Sequence, residues 1–126
     1  MLRNYPIGAT IPAADIARAR KFYEETLGLV PERVAPDGVS YESGGTRFFV
    51  YPSQFAGTGK QTVASWEVDD LDKVATDLRD RGIKFEQYDF PGLKTDANGI
   101  ATFGDGRGFW FKDTEGNILS VLQRAG

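Results

Sequence analysis

The fold is decided by residues 15–28, which read DIARARKFYEETLG. Apolar side chains recur in this stretch at helical spacing, Asp15 suits an N-cap, and Gly28 suits a C-cap. Residues 5–12, just before it, alternate between apolar and small or polar side chains, which predicts a half-buried strand. Three further strands are predicted after the helix, near 30–34, 38–43 and 46–52.

The same order of elements returns in the second half of the chain. Residues 62–68 alternate again, and residues 70–82, DLDKVATDLRDRG, repeat the capping aspartate, the helical spacing and the closing glycine. Strands are predicted near 83–88, 100–103, 108–112 and 117–122. This internal repeat indicates two βαβββ modules, at 1–56 and 60–124, within a single domain spanning 1–126.

Association of the two modules is expected because it buries sheet surface that one module leaves exposed. A sheet that is covered on one face by a single helix cannot bury both of its faces. We therefore expect an α+β fold in which the modules form one curved mixed sheet around a concave cavity, with the helices on the outside.

Composition excludes several classes of function. The chain has 126 residues, a net charge of −3, no Cys and no His, so it lacks disulfides, thiolate nucleophiles, imidazole bases and Cys- or His-ligated metals. Its basic residues are dispersed, which argues against a nucleic-acid partner. Its apolar runs are far shorter than a bilayer span, and its start does not resemble a signal peptide. A cytoplasmic protein with no membrane partner is expected.

A ligand-binding cavity is predicted on the concave face. The alternating strands direct small or polar side chains to that face, where a solid core would require Leu and Phe. Aromatic side chains, with Phe109 and Phe111 as further candidates, supply the walls. The predicted cavity residues are Gly8, Thr10, Phe48, Val50, Val63, Ser65, Glu67, Trp110 and Ser120. The alternative is that glycine and serine merely fit a tight bend of the sheet.

Several motifs carry a family resemblance. The first helix contains Phe22-Tyr23 and Leu27-Gly28-Leu29, and the second half opens with Val68-Asp69-Asp70-Leu71. The last predicted hairpin reads FKDTEGNIL over 111–119, which is similar to an Asp-Pro-Asp-Gly-Asn turn with Thr114 in place of Pro. Together these motifs resemble the vicinal oxygen chelate superfamily, which includes glyoxalase I, bleomycin-resistance proteins and extradiol dioxygenases. The segments FPGLKT at 90–95 and WFKD at 110–113 further suggest a small, stand-alone, glyoxalase-like bacterial subgroup.

The resemblance implies one divalent metal held by four side chains on the concave face. Carried onto this sequence, the four ligand positions are Gly8, about Val50, Val63 and Ser120. Glycine and valine offer no side-chain donor, and a single serine hydroxyl binds divalent metals weakly. Neither a metal nor any other cofactor is therefore expected.

Three functions stay open. The first is metal-free binding of a small amphipathic or aromatic molecule, and the second is a glyoxalase-like lyase or isomerase, or a dioxygenase-type enzyme, with an atypical or metal-free site. The third is an interaction module whose sheet serves dimerisation. The catalytic residues are unknown, and the one candidate is Glu67, which would be a general base if buried and unpaired, or a rim residue paired with Arg or Lys. The modules can pair within one chain or across a homodimer.

Overall fold

The computed structural model describes residues 1–124; the last two residues of the predicted domain 1–126 lie outside the described residues. A strand, a helix and three strands of the same sheet follow one another in each half, and the second half adds a short two-stranded hairpin after its helix. The first module follows a 3-10 turn at Leu2–Asn4 and contains β1 (Ala9–Ala13), α1 (Ile16–Lys21), a π-helical turn (Phe22–Thr26), β2 (Pro31–Ala35), β3 (Gly38–Ser43) and β4 (Thr46–Pro52). The second contains β5 (Thr62–Glu67), α2 (Leu71–Asp80), β6 (Asp89–Phe90), β7 (Leu93–Lys94), β8 (Ala101–Phe103), β9 (Gly106–Lys112) and β10 (Ile118–Arg124).

Each module builds a four-stranded mixed sheet. The strand orders are β1-β4-β3-β2 and β5-β10-β9-β8, and β6 and β7 form a separate small hairpin. In each sheet the strand before the helix pairs in parallel with the last strand of its module, and the other pairs are antiparallel. Strands β1 and β5 lie beside each other where the modules meet. The predicted α+β architecture of two βαβββ modules in a curved, unclosed sheet is confirmed.

The helices begin where the capping residues predict. The side chain of Asp15 accepts a hydrogen bond from the Arg18 amide at 3.0 Å, and that of Asp70 accepts one from the Lys73 amide at 3.1 Å. The first helix differs from the expected regular helix after Lys21, because the Leu27 amide donates to the Phe22 carbonyl five residues back. The sequence did not predict this π-helical turn.

Two predicted strands have different bounds. The predicted strand at 5–12 begins only at Ala9, and Ile7, one of the alternating apolar residues of that stretch, is 98% exposed. The segment 83–88 is not a strand: it meets β9 through one bridge between Phe85 and Phe111 and one hydrogen bond from the Glu86 amide to Trp110. The chain then leaves the edge of the sheet because residues 89–94 fold onto themselves as the β6–β7 hairpin.

One core extends through both modules. It contains buried apolar side chains from both sheets and both helices, and partly buried ones pack around it. Its largest fully buried members are Tyr23, Tyr41, Phe109, Phe111, Ile11, Leu71 and Leu119. The predicted aromatic walls Phe109 and Phe111 therefore belong to this core and not to a cavity on the other face.

The β9–β10 turn, residues 113–117, fastens the second module to the first. The buried Glu115 carboxylate accepts hydrogen bonds from the Arg18 guanidinium and the Asp15 amide, both at 2.8 Å. The Tyr23 hydroxyl donates to Asp113 at 2.6 Å, and the Asn117 side chain donates to the Pro12 carbonyl at 2.8 Å. We call this group of contacts the turn clamp.

The turn clamp also holds the segment between the modules. The Gly57 amide donates to the Asn117 side chain at 3.3 Å. A β-carbon at Gly57 would lie 2.5 Å from the Glu115 carbonyl oxygen, and the φ of Gly57 is +72°, in the left-handed region that favours glycine. The close contact therefore depends on a residue without a side chain.

No helix within residues 1–124 combines the length and the hydrophobicity needed to cross a bilayer.

Candidate functional site

The pleat of the strands divides the predicted cavity residues between two faces of the sheets. Ile11 is a core residue, and the pairing of β1 with β4 sets Val50 opposite it. Val50 therefore faces the helices and is 1% exposed, and Phe48, two residues earlier, stacks on Tyr41 with ring centroids 5.3 Å apart. The prediction that Val50 lines a concave cavity is wrong for this reason.

The residues that β4 presents on the other face are Phe49 and Tyr51. Their rings stack on each other with centroids 6.5 Å apart and are partly exposed. Sequence reasoning missed them because all the residues in Phe48-Phe49-Val50-Tyr51 are apolar or aromatic, so the strand shows no readable alternation. The parallel register with β1 is the information that separates the two faces.

A pair of serines lies at the centre of the second sheet. Ser65 and Ser120 are register partners on β5 and β10, and their hydroxyl groups share a hydrogen bond. Ser120 is 2% exposed and lies opposite Trp110 on β9, whereas Ser65 is exposed. Tyr88 packs edge-on against the Trp110 ring at 5.7 Å, and Tyr88 and Leu93 cover the small cluster that contains Trp110.

A pocket of about 450 Å³ lies where β1, β5 and the β3–β4 hairpin meet. We call it the seam pocket. It contains Phe48, Ser65 and Glu67 of the predicted set. Its other lining residues include Ile7, Ala9, Arg47 and Trp66. Gly8 and Thr10 line a separate hollow of about 180 Å³, beside Phe49 and Arg47.

The seam pocket has apolar walls and a polar rim. The Trp66 indole donates to the Ser43 hydroxyl at 3.1 Å, which fixes the ring across the junction of the modules. At the rim, Arg47 contacts Glu32 at 2.9 Å and Glu67 contacts Arg124 at 3.5 Å. The Glu67 side chain is 66% exposed, so the structure shows the rim glutamate with a basic partner and not the buried, unpaired carboxylate that a general base required.

Comparison with known proteins identifies the family. The model of the Glyoxalase/Bleomycin resistance protein/Dioxygenase superfamily matches residues 8–121. The chain belongs to this superfamily. The resemblance read from the sequence motifs is thereby confirmed, whereas comparison with curated protein sequences gives no significant match.

Solved structures of superfamily members have the same fold. A glyoxalase/bleomycin resistance protein/dioxygenase from Alicyclobacillus acidocaldarius superposes with a TM-score of 0.71 at 20% identity, covering 96% of this chain and 92% of its own. A glyoxalase family protein from Enterococcus faecalis gives 0.70 at 21% identity, with 97% and 99% covered. Lactoylglutathione lyase from Agrobacterium tumefaciens gives 0.67 at 18% identity, with 94% and 92% covered.

The four positions to which the resemblance assigns a metal do not carry residues that fit one. Gly8 and Val63 have no donor atom, Val50 is turned into the core, and the Ser120 hydroxyl is already bonded to Ser65. Within residues 1–124 no three Asp, Glu, His or Cys side chains come together as a metal would need. Four such positions cannot supply the charged oxygen or nitrogen ligands of a divalent ion.

Proposed function

We propose that this superfamily member binds a small amphipathic or aromatic molecule in the seam pocket without a metal. The observation that carries the proposal is the pocket itself. Its volume of about 450 Å³ is that of a typical small-molecule site, and it combines apolar walls with a few polar groups. Such a site needs burial of the ligand and placed hydrogen-bonding groups, and no metal chemistry.

The lining favours a ligand with an apolar body and a polar end. Ile7, Ala9, Phe48 and Trp66 supply apolar and aromatic surface for the body. The Ser65 hydroxyl and the ion-paired rim groups Arg47 and Glu67 supply hydrogen bonds for the polar end. Because both charges already have partners, neither requires a charged ligand for neutralisation.

The proposal extends to the organisation of the protein. The core that continues through both modules supports one domain formed by modules 1–56 and 60–124. The dispersed basic residues and net charge of −3 support a partner that is a small molecule and not a nucleic acid. We propose a cytoplasmic protein that acts as a monomer or homodimer, with no membrane partner.

Filling the seam pocket tests the binding site. Ser65→Trp places a bulky ring in the pocket at an exposed position, so the protein is expected to fold and to lose ligand binding. The measurement is a thermal-shift screen against small amphipathic aromatics, because a ligand at 100 times its Kd stabilises the native state by about 2.7 kcal/mol. Thr102→Trp, at an exposed position of β8, is the matched control. Each ligand should raise the Tm of this variant by the same amount as that of the wild type.

The same screen can contradict the proposal. Ligands that still raise the Tm of the Ser65→Trp variant by the wild-type amount bind elsewhere. A complete absence of binders among small amphipathic aromatics would favour the interaction-module alternative.

Elemental analysis tests the proposal that the protein works without a metal. The purified protein is expected to contain far less than one nickel, zinc, iron or manganese ion per chain. Three of the four positions that the resemblance assigns to ligands have no side-chain donor, and the fourth, Ser120, has only a hydroxyl. About one metal ion per chain that remains bound after mild chelation would contradict the metal-free proposal. It would favour the lyase, isomerase or dioxygenase alternative.

A further inference from the structure

A second cavity lies on the helix-covered face of β5 and β10, between these strands and α2. Its volume is about 170 Å³. Its floor is formed by buried side chains: Phe111 is 1% exposed, Val121 2% and Leu78 8%. Its rim is formed by half-buried Leu27 and Leu29 from the first module and by Val68 and Val74 from the second.

The cavity forms where the segment after the π-helical turn reaches the second module. Leu27 and Leu29 follow this turn directly and line the cavity together with residues of α2, β5 and β10. The Arg81 guanidinium at the end of α2 donates to the Thr26 carbonyl at 2.9 Å and holds this segment in place. The space is therefore bounded by anchored elements of both modules.

The lining side chains offer no free polar partner to an ordered water or an ion. All of the lining side chains are aliphatic or aromatic, and the single polar atom among them, the Trp66 indole nitrogen, already donates to Ser43. An ordered water needs two to four polar partners, which this lining does not provide. Apolar cavities of roughly 150 Å³ stay dry and take up benzene-sized molecules.

We propose that this cavity is a second binding site, for a small uncharged apolar molecule of about the size of toluene. It is separate from the seam pocket and goes beyond the function proposed above. The occupant is limited in size by the volume of the cavity, and it is limited to neutral molecules because no lining side chain can neutralise a charge. Of residues 1–124, Trp66 is the one that lines both spaces.

Toluene is the probe, and the whole chain is the sample. Toluene is expected to raise the Tm and to shift the methyl resonances of Leu27, Leu29, Val74 and Val121 in ¹³C-methyl NMR spectra. Benzoate, which has the same ring and a negative charge, should leave these methyl resonances unchanged. Any response to benzoate near Arg47 belongs to the seam pocket and does not bear on this site.

Filling the cavity provides the decisive variant. Val74→Phe should weaken toluene binding at least tenfold, because the new ring occupies the space. Val34→Phe adds the same ring at a position that is 55% exposed on β2 and should bind toluene like the wild type. Ser65→Trp should also bind toluene like the wild type, whether or not it loses the ligands of the seam pocket.

Three outcomes would overturn the proposal. The first is unchanged toluene binding by Val74→Phe, and the second is a set of wild-type methyl shifts confined to other parts of the protein. The third is a wild type that ignores toluene while Val74→Phe changes the oligomeric state, which would assign the cavity to a contact with a second copy. If Val74→Phe does not fold, the wild-type methyl map alone decides between binding here and binding elsewhere.

Discussion

At the scale of single residues, Glu115 keeps a negative charge in a place where burial opposes it. Burial alone would raise the pKa of its carboxyl group. Hydrogen bonds from the Arg18 guanidinium, the Asp15 amide and the Thr114 hydroxyl favour the charged form and outweigh burial, so the pKa falls from its ordinary value of 4.5 to about 2. The turn clamp is therefore sensitive to acid.

The sign of this shift fixes a pH dependence. Because the pKa of Glu115 is lower in the folded protein, its stabilising contribution is complete above pH 4.5 and is lost as the pH falls towards 2. Glu115→Gln should lower the free energy of unfolding at pH 7 by on the order of 1–2 kcal/mol, allowing for the solvent around half-exposed Arg18. The free energy of unfolding of this variant should also fall less than that of the wild type as the pH is lowered from 4.5 to 2.

Urea unfolding at pH 7, 4 and 3 measures both effects. Glu25→Gln, at an exposed glutamate of the π-helical turn, is the control and should unfold like the wild type. If Glu115→Gln retains the full acid sensitivity of the wild type, other carboxylates are responsible for it.

At the scale of elements, the contribution of the α2 N-cap to stability can be measured by comparing Asp70 with the adjacent Asp69. Asp70 accepts a hydrogen bond from the Lys73 amide, whereas adjacent Asp69 is exposed and lies outside the helix. Asp70→Ala should cost about 1 kcal/mol of stability, and Asp69→Ala should cost much less. Chemical denaturation of the two variants side by side gives the comparison, and equal losses would mean that the cap does not stabilise α2.

The same elements show how far the sequence determines the structure. Local signals were sufficient for both caps, for β3 and β4, and for the two-module order, because each depends on neighbours in sequence. The π-helical turn was not predictable, because no local signal in the sequence distinguishes it from a regular helix; in the structure it contains the adjacent buried residues Phe22 and Tyr23. The orientation of Val50 and the ion pair of Glu67 with Arg124 also depend on strand register and on residues distant in sequence.

At the scale of the whole molecule, Asn117 joins parts that are far apart in the chain. It is 4% exposed, donates to the Pro12 carbonyl and to Asp113, and accepts from the Gly57 amide. Asn117→Ala leaves these buried groups without partners, which should lower stability by about 1–3 kcal/mol. Because the core is continuous, we expect one unfolding transition in both wild type and variant.

Two probes can check this cooperativity in the same sample. Fluorescence of Trp66 and Trp110 reports on the second module, and the methyl resonances of Val39 report on the first. Asn98→Ala, in an exposed turn, should leave the midpoint unchanged. Separate midpoints for the two probes in the wild type would show that the modules unfold independently.

The contact of Gly57 with the β9–β10 turn has a consequence for how two copies of this chain can associate. Exchange of identical modules between chains requires the connecting segment to swing open as a hinge. Here that segment is bonded to Asn117 and lies so close to Glu115 that only glycine fits, so opening it breaks buried contacts. The native linker therefore opposes domain swapping, and a larger side chain at Gly57 would push it away from the turn and create the free hinge from which swapped dimers form.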